Sequence, residues 1–170
     1  MAKPSDLIVF ATLVAGVGIA AAIDLRTRRI PNRLSAALAA LGLAFAAAGI
    51  GSLSIGMSLA GLVLGLALML PGHLAGATGA GDVKLFAAIG TLVGPSHIGP
   101  AFIFTALAGG VMALAFAASR GCLHRTLGRT ATLITSGGST FAAVKAPVEN
   151  NRFPYAPAIA VGCVIAALGL

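Results

Sequence analysis

Residues 34–81 read LSAALAALGLAFAAAGIGSLSIGMSLAGLVLGLALMLPGHLAGATGAG, forty-eight positions without one Lys, Arg, Asp or Glu. A single helix of that length would be about 72 Å long. That is more than twice the roughly 30 Å hydrocarbon core of a bilayer, so the stretch must hold two spans. The turn-prone cluster Gly49-Ile50-Gly51-Ser52 divides residues 34–48 from residues 53–70, and Pro71-Gly72 is expected to end the second of these.

Working outward, Leu7 to Ile23 supplies 17 uncharged residues and a first span. The other reading of this run is a cleaved signal peptide, because Ala20-Ala21-Ala22 looks like a small-residue cleavage site. Before the run there is only Lys3, offset by Asp6, while Arg26, Arg28, Arg29 and Arg33 follow it, the wrong side for a secretory leader. After Asp82 comes a short run, residues 83–93, closed by Gly94-Pro95 and worth only about 17 Å of helix. Pro100 suits the first turn of a fifth span over residues 101–119, and a sixth covers residues 153–170. The expected fold is all-α, a polytopic membrane protein with a bundle of about six transmembrane helices in one domain, residues 1–170.

Composition agrees. The chain is 58% hydrophobic and 9% charged, against roughly 25% charged in soluble domains, and its mean hydropathy is +1.02. A soluble globule is excluded. The net charge of +7 would suit nucleic acid, but aromatic residues are 5% and Trp is absent, leaving no stacking platform for bases. No nucleic-acid partner is expected; membrane lipids are. With six spans, ten of the 11 Lys and Arg residues fall on one side, as cytoplasmic flanks do. Both termini are then outside, and residues 120–152 form a cytoplasmic loop. Within it Leu123, Leu127, Leu133 and Ile134 beside Arg120, His124, Arg125 and Arg129 make either a helix lying on anionic headgroups or a solvated basic loop. Gly61 and Gly65 form a small-xxx-small pair, read as a helix-packing contact.

Only four carboxylates exist. Asp6 and Glu149 read as surface charges. Asp24 and Asp82 each abut an apolar span on the same, cytoplasmic, side, and ionisable groups at membrane depth are expensive and usually functional. Two carboxylates on one face can hold a water and share a proton. One takes a proton from the attacking water while the other protonates the peptide carbonyl and then the leaving amine. That chemistry needs no metal and no cofactor. Gly79 and Gly81, just before Asp82, are either ordinary loop glycines or positions for positive φ and close backbone approach. Helix polarity suggests Asp82, at a helix start, as base and Asp24, after a helix end, as acid, whereas the arginines beside Asp24 argue the reverse.

Taken in order, Asp24 with Arg28-Arg29-Ile30-Pro31-Asn32, Gly79-Ala80-Gly81-Asp82-Val83-Lys84-Leu85 and Pro154-Tyr155-Ala156-Pro157-Ala158 resemble the type IV prepilin peptidases, bacterial membrane aspartic endopeptidases of the GxGD class. The resemblance implies that Asp24 and Asp82 are the catalytic pair. It also implies an inner-membrane enzyme that clips the basic leader from a prepilin or pseudopilin substrate, after a glycine, at the cytoplasmic boundary. Larger members carry paired CxxC motifs for zinc and N-methylate the new terminus. This chain has only Cys122 and Cys163, so the resemblance is to the compact, peptidase-only form serving tight-adherence (Flp-type) pili.

Other residues keep two readings each. Lys84 either anchors its span at the interface or lowers the pKa of Asp82; Arg28 and Arg29 either set topology or meet an acidic substrate residue. Asn32 is expected to cap the second span, and Tyr155 either hydrogen-bonds near the acids or packs. His73, His97 and His124 fall at different span ends and form no single ligand set, so no metal site is expected. The alternative function is a small proton- or cation-coupled carrier in which Asp24 and Asp82 relay a proton; a non-catalytic scaffold is a third reading.

Overall fold

The computed structural model of the protein describes residues 4–76, 78–119 and 155–169. Their regular structure is entirely helical: α1 Pro4–Thr27, α2 Asn32–Ala47, α3 Ile55–Leu74, α4 Ala80–Ser119 and α5 Ala156–Ala167. The basic loop over residues 120–152, with its possible surface helix, Cys122, His124 and Glu149, lies outside the described residues.

The course of α4 organises everything else. At Gly94 the backbone takes φ 72° and ψ 176°, a combination open in practice only to glycine. Phe86 and Phe102, which in a straight helix would stand about 24 Å apart, meet edge to face with centroids 6.1 Å apart. The helix is therefore folded back on itself, with one arm over residues 80–93 and an antiparallel arm over residues 95–119. Pro95 opens the second arm, where its fixed φ suits a first helical position. Having no N–H, it also leaves the Thr91 carbonyl without its helical donor. The Ser58 hydroxyl of α3 fills that gap, donating to Thr91 O at 2.8 Å in the buried core.

The 80–93 arm is the centre of the bundle: Leu85, Phe86 and Ile89 are wholly buried. Its neighbours reach it by having no side chain at the crossing. A Cβ at Gly61 would meet the Gly90 carbonyl, and one at Gly90 would meet Gly61. Gly65 lies against Phe86 and Ala87, and Gly42 of α2 against Thr91. The Gly61 and Gly65 pair is thus the packing contact its spacing suggests. On the other side, Gly162 of α5 packs against Thr105 of the second arm.

Large apolar side chains such as Leu7, Val63, Ile103 and Val111 point outward, each at least 59% exposed, a surface suited to lipid and costly in water. By length and composition α1, α3 and residues 80–115 can cross a membrane, while α2 and α5 are shorter apolar helices of 16 and 12 residues.

Several expected boundaries move. The first helix continues past Ile23 and includes Asp24. The third runs through Pro71-Gly72 to Leu74, because a proline in the last turns costs only one hydrogen bond, the one to Ala67. Pro100 lies inside a helix that began at Pro95, since Gly94 alone makes the reversal. The central arm starts at Ala80, three residues before the expected fourth span, and the last helix begins at Ala156 in place of residue 153.

Gly61→Ala should destabilise the folded protein by about 1–3 kcal/mol, as overpacking does, and Ser58→Ala by a similar amount through an unsatisfied buried carbonyl. Gly18→Ala, with no atom within 4 Å of the added Cβ, should be neutral or stabilising by about 1 kcal/mol. Thermal unfolding of the three variants in detergent checks the order.

Candidate active site

The α1 helix ends one turn beyond Asp24. Thr27 Oγ1 lies 3.0 Å from both Ile23 O and Arg29 O, and Arg28 adopts φ 51°. That left-handed conformation costs a side-chain-bearing residue about 1–2 kcal/mol, yet the Arg28 N–H still reaches Asp24 O at 2.8 Å. The turn carries the chain through Ile30 into Pro31, which starts α2 without a side-chain cap. Asn32 is not the cap its position suggested. It is the first helical residue, turned toward α4, where its Oδ1 accepts Lys84 Nζ at 3.1 Å.

Asp24 itself is only 5% exposed. Its Oδ2 accepts the Ala156 N–H at 3.0 Å across 132 residues of sequence. Ala156 is the first residue of α5, and such N–H groups have no partner within their own helix. The site thus takes an orphan donor from one helix to hold the carboxylate of another.

Asp82 is the third residue of α4, and its Oδ2 accepts the Gly79 N–H at 3.0 Å. This is the back-reaching half of a capping box, with Gly79 O receiving the N–H groups of Asp82 and Val83. Neither Gly79 nor Gly81 has a left-handed φ, contrary to one reason offered for them. Close approach explains both: a Cβ at Gly79 would lie 2.9 Å from Asp82 Oδ2, and one at Gly81 would lie 3.2 Å from the Ile30 Cβ.

The two carboxylates lie at the same end of the bundle, both buried, and close enough for their charges to interact. Tyr155, which precedes Ala156, also lies within reach of the Asp82 charge, its ring laid on Gly109 of the second arm. Each carboxylate stands at a helix N-terminus, Asp24 at that of α5 and Asp82 at that of α4. The polarity contrast expected to separate base from acid is therefore reduced, because Asp24 stands both near the end of α1 and at the start of α5. Arg28 and Arg29 are exposed at this end. Lys84 is exposed and engaged by Asn32, about 200° around the helix from Asp82, which favours its anchoring reading over one directed at Asp82.

Two features escaped the sequence reading. The Ala156 donor is a backbone group and leaves no residue-type signal. His73, whose Nδ1 stands 2.9 Å from Thr78 O, was weighed only as a metal ligand. Among the described residues no three His, Cys, Asp or Glu side chains are grouped. A cavity of about 250 Å³ opens at the opposite end of the bundle, between Asp6, Phe10, Phe45 and His97, away from both site carboxylates.

Comparison with curated proteins and with solved structures found no match. The model of the type IV leader peptidase family matches residues 11–114. That stretch takes in Asp24, the Gly79–Asp82 turn and both arms around Gly94 up to residue 114, well over half of the 170 residues, and the chain belongs to the type IV leader peptidase family.

Proposed function

We propose that the protein is a membrane aspartic endopeptidase of the GxGD type that removes the basic leader from prepilin or pseudopilin substrates, in support of pilus assembly or secretion. The observation that carries this reading is the pairing of Asp24 and Asp82. They are two buried carboxylates at one end of an apolar bundle, each held by a backbone N–H from a different segment. A water between them loses a proton to the ionised carboxylate as its oxygen attacks the substrate carbonyl, and the other group, as the carboxylic acid, gives its proton to that carbonyl oxygen. The tetrahedral intermediate collapses as a proton passes to the amine, which leaves as the new N-terminus of the pilin.

In the bilayer, α1, α2, α3, the two arms of α4 and α5 make six crossings. The basic residues near the site face the cytoplasm, and the enzyme resides in a bacterial inner membrane. A substrate whose apolar helix begins right after its basic leader presents the scissile bond at this boundary. Residues 1–170 form one peptidase domain. With only two cysteines in the chain, it has too few thiols for paired CxxC motifs, which supports a peptidase-only form without N-methylation.

Co-expression with a prepilin, followed by gel analysis of leader removal, tests the reading. Asp24→Asn and Asp82→Asn should each lower cleavage at least about a hundredfold, the scale of a lost acid–base group, while both proteins still insert. Full processing by either variant refutes the pairing. Gly79→Ala, whose methyl would press on Asp82 Oδ2, should lose most cleavage with little change in the amount of inserted protein.

A further inference from the structure

His73 lies in the last turn of α3, and its Nδ1 stands 2.9 Å from Thr78 O. A carbonyl oxygen only accepts, so Nδ1 carries the hydrogen and the imidazole donates. The Thr78 carbonyl and the Gly79 N–H belong to one peptide unit, which is planar. The N–H edge of that same unit donates to Asp82 Oδ2 at 3.0 Å. His73 and Asp82 therefore grip opposite edges of one rigid amide.

Nearby bonds frame this unit without fixing its rotation. Ala75 N–H bonds to Pro71 O and Gly76 N–H to His73 O, which ends α3, and Thr78 N–H reaches Gly72 O at 3.3 Å. None of them touches the Thr78 carbonyl. A peptide plane between two glycine-rich segments turns easily, and turning it would carry the Gly79 N–H away from the carboxylate. Donation to the carbonyl also polarises the amide and strengthens its N–H as a donor.

We infer that His73 is a positioning residue for Asp82, acting through the Thr78–Gly79 peptide to hold the carboxylate in its reactive orientation. The inference rests on Asp82 being one of the catalytic pair. His73 touches neither substrate nor water in this role; its contribution is geometric, so it should appear in kcat more than in KM.

The test uses the purified full chain in detergent with a prepilin substrate, comparing His73→Leu, His73→Asn and Asp82→Asn. Asn places an amide N–H close to where Nδ1–H stood, whereas Leu fills the space with no donor. His73→Leu should lower kcat about tenfold, the scale of one lost positioning hydrogen bond, with KM changed less than about twofold. His73→Asn should recover most of the loss, and thermal unfolding midpoints report whether the variants fold alike. Wild-type kcat in His73→Leu overturns the inference. So does an equal loss in the Leu and Asn variants, which would mark the ring's bulk as what matters. Either result leaves the catalytic pair standing if Asp82→Asn is inactive. Full cleavage by Asp82→Asn removes the pair, and the inference with it.

Discussion

Gly61 of α3 and Gly90 of α4 cross with no room for a methyl group between them. Lipid chains are as apolar as leucine, so helices in a bilayer gain little by hiding apolar surface from one another, and close van der Waals contact between backbones must supply the association. That contact lets the 80–93 arm sink to the middle of the bundle, with α2, α3 and the second arm of α4 around it. The reversal at Gly94 follows from the same demand, since the chain must leave the centre as soon as the arm is complete. The hydrogen bond lost at Pro95 is replaced from α3 by Ser58, on the helix that makes the glycine contact.

A buried central arm has a consequence for its first turn. Asp82 begins inside the bundle, where an uncompensated carboxylate would be costly, and it is met by the Gly79 N–H. Asp24 reaches the same end from α1 and is met by the Ala156 N–H. Both donors are backbone groups at helix starts, set by the helix axis and free of side-chain rotamers. The turn at Arg28, held in a left-handed conformation, brings Ile30 against Gly81 and so ties the end of α1 to the start of α4. Asp82 is thus held by the start of its own helix, and Asp24 by the start of another.

Much of this was legible in the chain, because the signals involved are coarse and local. Charge-free runs marked the apolar segments, Gly49 to Ser52 marked the break before α3, and Gly94-Pro95 marked the end of the central arm. The spacing of Asp24 and Gly79–Asp82 carried the family resemblance. What misled were signals whose effect depends on neighbours. Pro71 and Pro100 read as boundaries yet lie within helices, where the loss of one bond is outweighed by packing. Asp24 looked like a residue after a helix because charge was taken as the limit of the span, whereas the helix continues until Thr27 and Arg28 end it. Asn32 has the residue type of a cap, but the nearby Lys84 ammonium uses its oxygen.

The assignment of acid and base shows the same limit more sharply. Polarity along the sequence sets Asp24 behind one helix and Asp82 ahead of another, and from that asymmetry different roles seemed to follow. Folding offsets the asymmetry, because α5 brings its own N-terminus to Asp24, near the end of α1, from 132 residues away. The family match ends at residue 114, so both aspartates fall within it while the group that holds Asp24 does not. A segment reaching only to residue 114 would contain both carboxylates and leave Asp24 without the N–H that orients it. The short last helix, too short for its length to mark it as a span, is therefore part of the candidate site, completing it with a donor that no residue type encodes.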